Sequence, residues 1–122
     1  MLGHLSFGVA DLARATAFYD GVMGALGYRR VWTSAQGVGY GLEEGKDKLA
    51  LFPRDGATAS GPGFHLAFDA PNPQAVDRFH AVALAAGGIC AGPPGPRPHY
   101  GATYYAAFVI DPDGHKLEAV HQ

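Results

Sequence analysis

The chain has 122 residues, enough for one ordinary domain with a real core. Its 9 Lys and Arg against 11 Asp and Glu give a formal net charge of −2 with His neutral, and no basic cluster is denser than Arg29-Arg30, which argues against nucleic acid and anionic membranes as partners. The longest uncharged apolar run, Tyr104 to Ile110, is far short of the about 20 residues a membrane helix needs, the N-terminus lacks the pattern of a secretory signal, and the single cysteine, Cys90, has no partner in the chain, so a cytoplasmic protein is expected.

Leu5, Phe7 and Val9 alternate with His4, Ser6 and Gly8, the period of a half-buried strand. Asp11 then caps a helix whose apolar stripe is Leu12, Ala15, Phe18, Tyr19, Val22 and Leu26, ending at Gly27. Three short strands follow, about Tyr28 to Thr33, Val38 to Leu42 and Lys48 to Pro53. A stretch rich in Gly, Ala and Ser, Asp55 to Gly63, links this half to the next. Phe64 to Asp69 repeats the alternation, Asn72 caps with Pro73 at the first helical position, and Val76, Phe79, Ala83 and Ala86 form a stripe stopped by Gly87-Gly88. A short strand near Ile89 runs into Pro93-Pro94-Gly95-Pro96-Arg97-Pro98, which is unable to join a central strand. Thr103 to Ile110, the turn Asp111-Pro112-Asp113-Gly114 and Lys116 to Val120 close the chain as a hairpin.

The two halves are copies. Sliding His4-Leu5-Ser6-Phe7 onto His65-Leu66-Ala67-Phe68 without a gap also superposes Phe18 on Phe79, Ala25 on Ala86 and Gly27 on Gly88, and matches the capping Asp11 with Asn72. The expected fold is α+β: two tandem βαβββ modules, about 1–57 and 62–122, forming a half-open mixed β-barrel cleft with helices outside. The modules pair within one chain or are exchanged between two chains.

Parity turns His4 and His65 away from the helix-packed faces, and Glu118 is out of phase with Leu117 and Ala119. Two imidazoles and one carboxylate from three strands suffice to hold a divalent metal with open positions, whether Fe, Mn, Zn, Ni or Co. A histidine near a terminus or a glutamate on a strand is more often an ordinary surface residue, but the repeat puts the same residue type on the same face twice. Trp32, Tyr40, Arg97, His99, Tyr100, Tyr104 and Tyr105 are candidates to line the substrate pocket, with Tyr104 and Tyr105 on opposite faces. His80, His115 and His121 read as surface residues and Cys90 as a small buried hydrophobe.

His4-Leu5-Ser6-Phe7-Gly8-Val9 with Asp11-Leu12 and Phe18-Tyr19, then Phe64-His65-Leu66-Ala67-Phe68, and finally Asp111 through Glu118 resemble the vicinal oxygen chelate superfamily over essentially the whole chain. That superfamily includes glyoxalase I, extradiol dioxygenases, fosfomycin-resistance enzymes and bleomycin-resistance proteins. Small bacterial members share an Arg-Pro loop before a Tyr-Tyr strand, here Arg97-Pro98 and Tyr104-Tyr105. The resemblance implies metal ligands at His4, His65 and Glu118, with Glu118 also catalytic, and a homodimer. Ala50 stands where a glyoxalase I carries a further ligand, which argues against that activity. Two functions follow as expectations: a metal-dependent enzyme that chelates neighbouring oxygens of a small organic substrate, or a metal-free protein that sequesters a ligand as bleomycin-resistance proteins do.

Overall fold

Both helices begin where a side chain satisfies the first free main-chain N–H groups. In the computed structural model, which describes residues 1–122, the Asp11 carboxylate accepts from the Arg14 N–H (3.0 Å) and the Asn72 amide oxygen from the Ala75 N–H (2.8 Å). The first half of the chain forms β1 (Leu5–Val9), α1 (Leu12–Ala25), β2 (Arg29–Ser34), β3 (Gly37–Gly41) and β4 (Asp47–Pro53). The second forms β5 (Leu66–Asp69), α2 (Pro73–Ala85), β6 (Ile89–Pro96), β7 (Tyr105–Ile110) and β8 (Lys116–His121).

Each helix ends on a glycine with positive φ, Gly27 (+89°) and Gly87 (+94°), and the next N–H reaches back to close the end: Tyr28 to the Met23 carbonyl, Gly88 to that of Ala83. The ungapped sequence match paired Gly27 with Gly88, so the repeat slips by one residue here. The cause is that α2 is one residue shorter than α1, 13 against 14.

Two four-stranded sheets result, in the orders β1-β4-β3-β2 and β5-β8-β7-β6, with β1–β4 and β5–β8 parallel and the other pairs antiparallel. The sheets do not pair with each other, so the eight strands stop short of a closed barrel and β1 and β5 are free edges. One face of each sheet is covered. Phe7, Val9, Leu49 and Leu51 pack under Phe18, Tyr19 and Val22 of α1, while Leu117, Ala119, Ala107 and Val109 lie in the same core as Val76, Phe79 and Ala83 of α2. Burying one such large side chain contributes about 1.5–3 kcal/mol. The most extensive contact between the halves is α1 against α2, which merges both cores into one.

A polar joint locks the halves together. The Asp111 carboxylate, 3% exposed, accepts the Tyr19 hydroxyl of α1 (2.7 Å) and pairs with His115 Nδ1 (2.8 Å). The His115 ring stacks on Phe7 at 4.3 Å, and the neighbouring Asp113 accepts the Ala10 N–H at 2.9 Å. Burial opposes ionisation of Asp111, but the hydrogen bonds from His115 and Tyr19 outweigh it and hold the carboxyl below its usual range. The Tyr19 hydroxyl is pushed up, first by burial and then by the Asp111 charge, and so stays the donor.

Three expectations need correction. His115 is buried, because the turn folds it under β1 and gives its ring nitrogen a carboxylate partner. Cys90 is exposed, because β6 is an edge strand whose register shifts beside it, and its Sγ lies 3.1 Å from His80 Nε2. The strand near Ile89 is longer than expected, running eight residues through Pro93, Pro94 and Pro96. An edge strand tolerates these prolines because its outer side has no ladder to complete.

Candidate functional site

The open face of the second sheet collects the reactive side chains. Register aligns Ala67 with Glu118 and Glu118 with Phe108, so these three share a face while Leu117 and Ala119 turn to α2. Glu118 is 1% exposed, an acidic side chain buried behind His65. Such a group needs partners, and it has two: His65 Nε2 lies 2.9 Å from Oε2, and the Tyr104 hydroxyl donates to Oε1 at 2.5 Å. Burial, followed by the Glu118 hydrogen bond and charge, pushes the Tyr104 hydroxyl up to about 12, so it holds its proton at neutral pH.

His65 stands just before β5 with its ring edge-on to Phe108 (5.8 Å) and half exposed to a cavity of about 350 Å³. Arg97, His99, Tyr100, Phe108 and Lys116 line the rest, with Gly92 leaving the floor bare. Arg97 is fixed by three main-chain carbonyls, those of Pro93 (2.7 Å), Gly95 (3.0 Å) and Pro96 (3.3 Å). The loop that follows brings His99 against Tyr100 (4.2 Å) and Tyr100 against Tyr104 (5.3 Å), both pairs of rings tilted.

The structure therefore brings together His65, Glu118, Arg97 and Tyr100, and leaves four predicted residues elsewhere. His4 is exposed ahead of β1, in a separate hollow shared with Tyr28, Lys48 and Leu66 to Asp69, and is not among the polar partners of His65 or Glu118. Trp32 lies over Gly39 on the open face of the first sheet, 6.0 Å from Phe52. Tyr40 is a fully buried core residue whose hydroxyl donates to Asp20 (2.9 Å); burial, then that carboxylate, pushes its ionisation far above the usual range. Tyr105 faces α2 and donates to Asp77 (2.7 Å), which raises its hydroxyl, so Tyr104 is the one of the pair that reaches the cleft. Lys116 was missed by the sequence reading, although it shares the parity of Glu118 on one strand.

The donors fit a divalent ion by kind. An imidazole nitrogen and a carboxylate oxygen already converge, and such N and O ligands suit first-row divalent metals. They do not complete a set within one chain, where no three His, Cys, Asp or Glu side chains come together. At the position of the first sheet equivalent to Glu118, paired with Ser6 as Glu118 is with Ala67, stands Ala50.

A family model for the Glyoxalase/Bleomycin resistance protein/Dioxygenase superfamily matches residues 1–119. Among solved structures, a glyoxalase/bleomycin resistance protein from Albidiferax ferrireducens T118 is 33% identical, with a TM-score of 0.85 over 100% of this chain and 98% of that one. A glyoxalase-related enzyme from Fulvimarina pelagi is 22% identical (TM-score 0.75, covering 100% and 88%) and shares the fold. The fosfomycin resistance protein FosX from Mesorhizobium loti is 25% identical (TM-score 0.70, covering 100% and 92%). No significant match is found among curated proteins. With a family model spanning nearly the whole chain and a closely superimposable relative, the chain belongs to the Glyoxalase/Bleomycin resistance protein/Dioxygenase superfamily.

Proposed function

We propose that this chain is a divalent-metal-dependent enzyme acting on a small organic substrate through two neighbouring oxygens, working in the cytoplasm as a homodimer. The observation that carries the reading is the His65–Glu118 pair, a 2.9 Å convergence of two metal-type donors on an open cleft face. His4, at the start of the free edge strand β1, is the third donor. Because it does not meet the pair within its own chain, the third ligand is the partner subunit's His4, with modules exchanged across a two-fold axis. Ala50 adds no fourth ligand, which leaves room for substrate and disfavours glyoxalase I chemistry.

The bound ion would supply Lewis acidity at the paired substrate oxygens, with oxygen chemistry available only to a redox metal. The chain's own residues do the rest. Glu118 is buried, and Tyr104 keeps a proton on its hydroxyl and aims it at Oε1, which fixes the side-chain rotamer. His65, edge-on to Phe108, is held toward the cavity mouth. Tyr100 and Phe108 give the cavity an aromatic side.

The test is elemental analysis of tag-free protein after dialysis against a mixture of divalent metals, beside His4→Ala, His65→Ala and Glu118→Gln. Near-stoichiometric metal lost in each variant is expected, and full occupancy in His65→Ala overturns the assignment. Co-expressing His4→Ala with His65→Ala should restore about a quarter of the sites if the modules are exchanged. A second reading, a metal-free binding protein, is favoured by the tilted Tyr100–Tyr104 pair beside an already satisfied Glu118. It takes over if no loading condition yields bound metal.

A further inference from the structure

The wall of the His65 cavity is cationic although the chain as a whole is slightly acidic. Arg97 and Lys116 both border it, with the guanidinium carbon 5.9 Å and the ammonium 5.2 Å from the centre of the Phe108 ring. Neither forms a salt bridge, since the ion pairs of the chain involve Arg14, Arg30, Lys46, His65 and His115. The Glu118 carboxylate lies behind the wall, 1% exposed with both oxygens engaged, so the charged groups presented at the cavity surface are Arg97 and Lys116.

Arg97 is also pre-set. Three of its five N–H donors go to the carbonyls of Pro93, Gly95 and Pro96, leaving the Nε hydrogen and one Nη2 hydrogen without a protein acceptor. The guanidinium lies close against the glycines of β6: a Cβ at Gly92 would come within 3.4 Å of Nη2 and 3.1 Å of Phe108, and one at Gly95 within 3.3 Å of Nη1, so a larger residue at either would crowd it. A cation fixed in advance loses little freedom on binding, which is how a site gains affinity for an anion.

We propose that the substrate of this site is a small organic anion, its carboxylate held between Arg97 and Lys116 and its planar or apolar body resting on Phe108. This rests on the metal-enzyme reading only for where the reacting oxygens lie, toward His65 and Glu118; the anion subsite stands on its own residues. The two cations give the cavity an electrostatic preference for anions. It weakens as ionic strength rises, because Lys116 is solvent-exposed.

The experiment is calorimetric titration of the full chain with protocatechuate, a catechol carboxylate, and with its uncharged amide, on metal-free and metal-loaded protein. The acid is expected to bind about tenfold more tightly than the amide in both states, as a charge-assisted hydrogen bond predicts. Lys116→Glu, a change at an exposed residue without hydrogen-bond partners, should abolish most of that ratio and leave the far-UV spectrum unchanged. Arg97→Gln should act in the same direction but also loosens the β6 turn, so Lys116→Glu is the deciding variant. Equal affinities, a ratio untouched by Lys116→Glu, or no binding of the acid at millimolar concentration each overturns the proposal. An acid preference in protein that takes up no metal removes the enzyme reading and keeps this one; metal uptake with acid and amide alike does the reverse.

Discussion

Replacing Asp111 with alanine should separate the two halves of the molecule energetically. Its Oδ2 accepts the Tyr19 hydroxyl (2.7 Å) and pairs with His115 Nδ1 (2.8 Å), while Oδ1 accepts the main-chain N–H groups of His115 (2.8 Å) and Asp113 (2.9 Å). Truncation strands a buried phenol and a buried imidazole. A hydrogen bond to a charged group contributes about 1.5–3 kcal/mol, and partners in one network do not add, so the expected loss is about 3–5 kcal/mol. That is a large part of the about 5–15 kcal/mol typical of a whole domain. At 122 residues each kcal/mol moves the midpoint by about 4 °C, which gives a drop of roughly 12–20 °C. Urea unfolding followed by Trp32 fluorescence and by far-UV circular dichroism measures it, and the first signal should fall away before the second if the halves uncouple. Acid supplies a second arm. The Asp111 carboxyl is held below its usual range, so its contribution is present above the unfolded value of about 3.9 and is lost as pH falls through the lower folded value. The alanine variant should therefore show a flatter stability profile in that window. A loss under about 1 kcal/mol together with an unchanged acid profile would refute the joint.

Gly21→Val should destabilise by about 1–3 kcal/mol, since even a Cβ there would lie 2.5 Å from Val82 Cγ1 where α1 crosses α2; thermal unfolding checks it. Gly39→Ala should shift the Trp32 emission maximum, because the added methyl would occupy the space of the indole, and an unchanged spectrum contradicts the placement of Trp32. Tyr104→Phe leaves Glu118 Oε1 buried without its donor and should cost about 1–2 kcal/mol in urea unfolding, with wild-type far-UV spectra. Cys90 should react with Ellman's reagent in the native protein to one equivalent, in keeping with its exposed position on β6.

Alternation and capping carried the architecture into view because both are local. Asp11, Asn72 and the two C-terminal helix glycines mark their elements through bonds that span at most five residues, so no long-range knowledge is needed. The site was legible where parity alone decides, as for Glu118 against Leu117 and Ala119. Tyr40 shows parity available but unused: it alternates in phase with Val38, an apolar neighbour that already pointed to the core. Tyr104 and Tyr105 could not be told apart without the register that aligns Phe108 with Glu118, and register is set by the β7–β8 turn rather than by either tyrosine. His115 carries no periodic signal at all. Its burial depends on Asp111 four residues earlier and on Phe7, which lies in the other half of the chain.

The duplicated sheets have diverged at corresponding pairs, and the pattern bears on why the candidate site's polar side chains sit on one of them. On the first sheet Trp32 pairs with Gly39; on the second Gly92 pairs with Phe108, so the aromatic and the glycine have changed strands. With the indole covering β3, the open face of the first sheet becomes an apolar plate, and Ala50 beside it offers no donor. With the ring on β7 instead, β6 is left bare, which is the space the Arg97 guanidinium occupies, and Glu118 rises next to Phe108 with its two partners. The exchange of one aromatic for one glycine thus decides which sheet admits a fixed cation and a buried carboxylate. In the proposed dimer, each cleft would face a donor-bearing sheet of one subunit with the aromatic plate and His4 edge of the other. Neither half alone would then form a complete site, and selection for activity would act on the interface as much as on the cleft.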